Sequence, residues 1–143
     1  MPEMLTSRRK VLIEWGDCDP ANIVYNPNYF RWFDASLANH FNAAGLPKPE
    51  LIRRYGNVGF PLVDTRAQFH VPSTHGDEVT IETTITRFGE SSFAVSHRLL
   101  RDGKLAVEGT EKRVLVRKKE DGTGITSFPV PEEVKALFQV AGD

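Results

Sequence analysis

Two carboxylates and a thiol crowd the segment Gly16-Asp17-Cys18-Asp19-Pro20, and Asn26-Pro27 follows, with Asn26 seven residues after Asp19. A carboxylate in a loop can attack an electrophilic carbon or take a proton from water. Unpaired N–H groups at a helix N-terminus together carry roughly half a positive charge, which suits an oxygen that gains negative charge. Side by side, the two features suit chemistry at a carbonyl group. Pro20 biases Asp19 toward extended geometry, which helps to aim its side chain. The competing role for Asp19 is that of an Asx-turn acceptor that merely shapes the loop. Asp17 reads as a turn or ion-pair residue. Cys18 invites a nucleophile reading, but no His stands beside it in sequence. As the neighbour of Asp19 it should point elsewhere, and it reads as a small buried filler.

The helix expected after this loop begins at Pro27. At about 100° per residue, Tyr29, Phe30, Phe33, Leu37, Phe41 and Ala44 fall within about a 120° arc, the apolar stripe of a core-facing helix. Asn26 reads as its N-cap, Pro27 as the first helical residue and Gly45 as the stop. A short strand over 8–15 precedes the loop, and a shorter helix over 49–55 follows. Beyond Gly56, residues 58–71, 77–88, 91–101 and 104–119 read as long strands. Val79, Ile81, Thr83 and Ile85 alternate with polar neighbours, as do Phe93, Val95, His97 and Leu99. Asp102-Gly103 predicts a hairpin turn. Apolar residues at odd positions (Leu105, Val107) and then at even ones (Val114, Val116) predict a β-bulge between Gly109 and Lys112. A short terminal helix is expected over 131–139. One aromatic-rich helix cannot bury its stripe against water, so the strands must curl around it, which makes the class α+β.

The pattern D-x-D-P-A-x-I-V-x-x-P-x-Y over 17–29, followed by Arg31-Trp32-Phe33-Asp34, resembles the 4-hydroxybenzoyl-CoA thioesterase family of hotdog-fold enzymes. Ala44-Gly45-Leu46-Pro47 and Val58-Gly59-Phe60-Pro61-Leu62-Val63 extend the resemblance, and the element order agrees over nearly the whole chain. It implies a single hotdog domain over 1–143, a long central helix wrapped by a curled antiparallel sheet, and hydrolysis of an aromatic or short-chain acyl-CoA. Asp19 matches the family's catalytic carboxylate, and the backbone N–H of Asn26 matches the group that polarises the thioester carbonyl. Dimers or dimers of dimers are implied, with the acyl-CoA between subunits. Relatives place Tyr or His where Asn26 stands, so a His-assisted mechanism at this position is ruled out while the backbone donor is unaffected.

A thiolate leaves readily, so one carboxylate suffices, either by attacking the carbonyl to give a mixed anhydride or by activating water. Tyr25 joins Asp34 and Phe60 as a substrate-binding candidate. Asp34 lies about 40° from Phe30 on the helical wheel, at the border of the stripe, where it meets a ring hydroxyl or else is a solvated or ion-paired helix charge. Phe60 favours an aromatic or compact acyl group, or is simply core. CoA carries phosphates, so its site normally offers Arg or Lys. Arg87 and Ser91, in a strand-to-strand turn with Glu90 opposing, are one candidate group, and Arg117 and Lys118, beside Lys119, are another.

His40 sits within the arc of the long helix, His70 and His75 flank a turn, and His97 lies on the inward set of its strand. No H-x-x-x-H or Cys-His spacing appears, so no metal and no cofactor is expected, and His40 and His97 read as satisfied core imidazoles. The chain has 143 residues, one of them Cys, with 18 basic against 19 acidic side chains. That balance leaves no basic excess for a phosphate backbone, so nucleic acid is not expected as a partner. Uncharged stretches such as Pro20 to Phe30 are far short of a membrane span. No secretory signal is read in the first ten residues, and a lone Cys fits a reducing compartment, so cytoplasm is the expectation. A hotdog dehydratase would need a His in the loop, which is missing. A non-catalytic hotdog or cystatin-like binding or assembly module remains the alternative from another class.

Overall fold

The computed structural model describes residues 3–56 and 58–140. In chain order the elements are β1 (Glu3–Met4), β2 (Thr6–Leu12), α1 (Pro27–Ala43), α2 (Lys48–Tyr55), β3 (Val58–Gly59), β4 (Leu62–Phe69) and β5 (Glu78–Phe88). There follow β6 (Ser92–Arg101), β7 (Lys104–Val114), β8 (Val116–Lys118), β9 (Ile125–Ser127), α3 (Glu132–Leu137) and β10 (Gln139–Val140). A turn of 3-10 helix at Trp15–Asp17 ends the stretch expected as strand over 8–15. The main sheet is antiparallel in the order β2-β5-β6-β7-β4, with β3-β8-β9 and β1-β10 forming smaller sheets.

The sheet folds over α1, as the aromatic stripe requires. Val79, Ile81, Thr83 and Ile85 of β5, and Phe93, Val95, His97 and Leu99 of β6, are all buried, matching the period-2 pattern. On α1 the buried set is Tyr29, Trp32, Phe33, Ser36, Leu37, His40 and Phe41. The stripe is therefore rotated from the expected arc. Phe30 is only half-buried, and Trp32 takes its place by packing edge-on against Tyr29 with centroids 5.6 Å apart. Two apolar clusters result, one on the N-terminal half of α1 around Tyr29, Trp32, Phe33, Ile81 and Leu99, the other on its C-terminal half around Leu37, Phe41, Leu46, Ile85 and Phe93.

Asp102 and Gly103 both have positive φ, 52° and 76°, as the expected two-residue hairpin demands. The β-bulge expected between Gly109 and Lys112 is absent. Pairing of β7 with β4 runs unbroken from Asp64↔Lys112 to Phe69↔Val107. The register instead shifts where Leu99 pairs Val107 and Leu100 pairs Leu105, which leaves Ala106 as the extra residue. From Val107 onward the inward face of β7 is Gly109, Glu111 and Arg113. Two charged residues point into the core, and that imitates a change of phase. The strand expected over 58–71 is also broken, at Phe60-Pro61 between β3 and β4.

At Gly109 the sheet closely approaches α1: a Cβ added there would stand 2.7 Å from the Phe33 ring. Gly109→Ala should therefore cost about 1–3 kcal/mol of stability, read as a lower urea midpoint at unchanged m. His40 is fully buried, with Nδ1 2.6 Å from Ser7 Oγ. Burial, and then the nearby His97, lowers its pKa from 6.5 to about 4. Between those two values the unfolded chain binds the proton that the folded chain refuses, so stability falls as pH drops from about 6.5. The loss by pH 4 is on the order of 3 kcal/mol. Urea titrations at pH 7, 5.5 and 4.5 should show a shallower decline for His40→Gln than for the unmodified protein.

Candidate active site

The loop between β2 and α1 is held by its own polar groups. Asp17 Oδ2 accepts the Glu14 N–H at 2.9 Å and Oδ1 lies 3.4 Å from Arg31, so Asp17 is both turn and ion-pair residue as expected. Its carbonyl accepts the Tyr25 N–H and the Asn28 side-chain amide, each at 2.9 Å. Cys18 bridges to Val24 and its thiol contacts the Glu14 carbonyl at 3.7 Å, turned to the core rather than toward Asp19's neighbours in the turn. Asp19 closes a tight turn. Its N–H bonds to the Ile23 carbonyl, its carbonyl accepts from Asn22, and its Oδ1 accepts the Ala21 N–H at 2.8 Å. That last contact is the Asx turn weighed above. Only one oxygen is used: Oδ2 has no hydrogen-bond partner among the described residues, and the side chain is half-buried. Asn22, at φ 65°, is tied to β5's approach by Thr74 Oγ1 at 2.6 Å and by His75 Nδ1 at 3.1 Å.

Asn26 lies immediately before α1, as expected, but its side chain does not cap the helix. Its own backbone is already helical (φ −49°, ψ −41°), whereas a side-chain cap needs an extended residue. The first turn leaves one donor. Pro27 has no N–H, Asn28 N–H bonds to the Tyr25 carbonyl, and Tyr29 N–H bonds to the Asn26 carbonyl. The N–H of Asn26 has no acceptor among the described residues. It borders a cavity of about 130 Å³ lined by Ile23, Tyr29, Phe69 and His70, among others. Tyr25, just before it, is 55% exposed.

Asp34 and Phe60 are elsewhere. Eight residues along the helix separate Asp34 from Asn26, about 12 Å of rise. Phe60 stacks on Phe41, with centroids 4.7 Å apart, further still toward the C-terminal end of α1. Asp34 is ion-paired, as its alternative role as a helix charge allowed: Arg113 Nη2 donates to its Oδ1 at 3.0 Å. The same guanidinium donates through Nη1 to the Phe60 carbonyl at 3.1 Å and through Nε to Glu111 Oε1 at 2.9 Å. Glu111 Oε2 lies 3.3 Å from His97 Nε2, a contact too poorly aligned for a hydrogen bond, and His97 Nδ1 meets Thr83 Oγ1 at 2.9 Å. Burial pushes the Glu111 carboxyl up, but His97 and Arg113 together outweigh it and hold it below its ordinary range. Burial likewise opposes the charge on Arg113, and Glu111 and Asp34 overcome it. The sequence reading missed Glu111 and Arg113. Asp34, Phe60 and Arg113 line an open cavity of about 380 Å³, which shares Ala38, Lys48 and Phe60 with an apolar cavity of about 180 Å³ between α1 and α2.

The basic candidates gather at this second end. Arg87 is exposed at the end of β5, and the carbonyl of Ser91, in the following turn, accepts the N–H of Leu115, two residues before Arg117. Arg117 lies over the Phe128 ring at 5.5 Å, and Lys118 is exposed. Arg87, Arg117 and Lys118 have no carboxylate partner among the described residues. Among these residues no group of three or more His, Cys, Asp or Glu side chains could hold a metal, and no helix is long and apolar enough to cross a membrane.

Residues 13–138 match the model of the thioesterase-like superfamily. The 4-hydroxybenzoyl-CoA thioesterase of Pseudomonas sp. (strain CBS-3) is 38% identical over 128 residues, covering 85% of this chain and 89% of the relative. The solved structure of the thioesterase from that strain superposes with a TM-score of 0.86 at 35% identity, over 92% of this chain and 98% of the other. The BH1999 gentisyl-coenzyme A thioesterase superposes at 0.79 with 32% identity, over 90% and 99%. By these matches the chain belongs to the thioesterase-like superfamily, as a thioester-hydrolysing enzyme with the hotdog fold.

Proposed function

We propose that this protein hydrolyses aromatic acyl-CoA thioesters of the 4-hydroxybenzoyl type to the free acid and CoA, with Asp19 as the catalytic carboxylate and the Asn26 N–H as the carbonyl-polarising donor. The single observation that carries the reading is that one loop presents a carboxylate oxygen on Asp19 and an N–H on Asn26 that have no partner among the described residues. As Asp19 attacks the carbonyl or activates water, charge grows on the carbonyl oxygen. A donor that meets that oxyanion is worth about 3–4 kcal/mol. The thiolate of CoA leaves, and water supplies the new oxygen. A short-chain acyl group fits the same chemistry, but a hydrogen-bonding aromatic one also engages Asp34 and Phe60. The Asx turn made by Asp19 is what a purely structural loop would have, and it is the observation that favours a non-catalytic binding module.

A second copy resolves the distance between the two ends of α1. β4 is an edge strand on which Leu62, Val63 and Phe69 are 44%, 59% and 49% exposed, an unstable arrangement for a lone chain in water. It runs from Phe69, against Tyr29 at the start of α1, to Leu62, beside the Phe60 and Arg113 end. Antiparallel pairing of β4 with β4 of a second copy about a two-fold axis would bring Asn26 of one chain to Asp34, Phe60 and the basic residues of the other. A homodimer, or a tetramer of two such dimers, then has a complete acyl-CoA site at each boundary.

Asp19→Asn should lower kcat for 4-hydroxybenzoyl-CoA, followed by release of free thiol, by about a thousandfold or more in a folded protein, since an amide neither attacks nor accepts a proton. Cys18→Ser should keep most of its activity. Normal turnover by the Asp19→Asn protein would leave the carboxylate as a loop former only. Light scattering on the active enzyme at micromolar concentration should give the mass of a dimer or tetramer, and a monomer that turns over normally would overturn the shared site.

A further inference from the structure

The buried charges on β7 take no part in the chemistry described above. We propose that Arg113 is a specificity-determining residue: it positions Asp34 and, together with it, recognises a hydroxyl on the acyl ring. The inference rests on the reading of Asp34 as a substrate-binding residue and deepens it.

Arg113 is held from three sides. Its guanidinium donates to Glu111 at 2.9 Å, to the Phe60 carbonyl at 3.1 Å and to Asp34 at 3.0 Å, and three acceptors in three directions fix the plane of a rigid fork. The Arg113 and Glu111 side chains are 7% and 3% exposed, whereas that of Asp34 is 72% exposed. The bridge therefore runs from the protein interior to its surface. A buried ion pair is seldom the most stable way to fill a core, because apolar residues of equal volume do as well or better. What the pair does supply is a fixed donor at the cavity wall. A free surface carboxylate on a helix samples several rotamers, and a bond to an immobile guanidinium selects one of them.

The remaining valences match a hydroxyl. Asp34 Oδ2 has no hydrogen-bond partner among the described residues. Three of the five N–H groups of Arg113 are engaged, so two remain. A phenolic OH donates one hydrogen bond and accepts up to two. It can therefore donate to Asp34 and accept from Arg113 at once. A methoxy group can only accept, and an unsubstituted ring does neither. Phe60, whose carbonyl and ring both contact the guanidinium, sets the apolar wall from the same anchor.

The test measures kcat and KM for 4-hydroxybenzoyl-, 4-methoxybenzoyl- and benzoyl-CoA with the unmodified enzyme, Asp34→Ala, Arg113→Lys and the double variant Glu111→Leu/Arg113→Met. Lysine keeps a cation beside Glu111 but cannot span Glu111, the Phe60 carbonyl and Asp34 together. The double variant removes both buried charges, so it reports even where a single change fails to fold. The unmodified enzyme should prefer hydroxybenzoyl over benzoyl by about tenfold or more in kcat/KM, with methoxybenzoyl between them. All three variants should bring that ratio to within about twofold of unity, mainly through a higher KM for the hydroxybenzoyl ester. If Asp34→Ala abolishes the preference while the Arg113 variants retain it, Asp34 acts alone and the role of Arg113 is overturned, with the Asp34 reading intact. A preference that survives Asp34→Ala, or is missing from the unmodified enzyme, overturns both. An equal fall in kcat on every ester marks Arg113 as structural and also overturns the inference.

Discussion

A single 17-residue helix with an aromatic stripe along its length is the constraint on which the rest depends. Nothing else in the chain can cover Tyr29, Trp32, Phe33, Leu37 and Phe41 except a sheet long enough to run beside them and curved enough to fold around them. Strands of 8, 11, 10 and 11 residues in β4 to β7 meet that need. The same length keeps the ends of the helix apart. Among the described residues the unpaired Asn26 donor sits at the start of the helix, and the cavity wall formed by Asp34, Phe60 and Arg113 begins at its middle, so in one copy the two stand apart and the proposed site joins them only across two copies.

Between the two apolar clusters lies a polar layer. Ser7 with His40, and Thr83 with His97 and Glu111, cross the core at the middle of α1, where Ser36 replaces a bulky side chain. Such groups are costly when unpaired, which makes the layer intolerant of slippage. A two-residue slip of β6 or β7, which keeps the apolar alternation, would break the Thr83–His97 or the His97–Glu111 contact in a layer where the Nε2 atoms of His40 and His97 already lack hydrogen-bond partners among the described residues. The layer thus fixes register in a sheet whose apolar pattern alone would tolerate more than one alignment.

What could be read from the sequence was local. The α1 stripe, the alternation in β5 and β6 and the Asp102-Gly103 turn each depend on residues a few positions apart, and each appears in the structure, the stripe rotated to take in Trp32 in place of Phe30. The loop at Asp17 to Asn26 was legible because its turn residues, carboxylates and helix start are contiguous. Glu111 and Arg113 were not, since two charged residues in an i, i+2 relation look like a solvated face until their partners are known. Those partners, His97 and Asp34, lie 14 and 79 residues away. β1, β3, β8, β9 and β10 are two or three residues long, too short to carry a period. The cap expected of the Asn26 side chain failed because the helical backbone already begins there.

That last feature separates two kinds of inheritance within one residue. Because Pro27 has no N–H and the next two N–H groups are already taken, the helix start has a single donor to offer, and it belongs to the main chain. Every amino acid except proline would supply it. The Asn26 side chain can therefore be exchanged without disturbing the backbone group beneath it. A substitution at position 26 can in this way reshape the surface at the mouth of the helix while the backbone donor stays where it is.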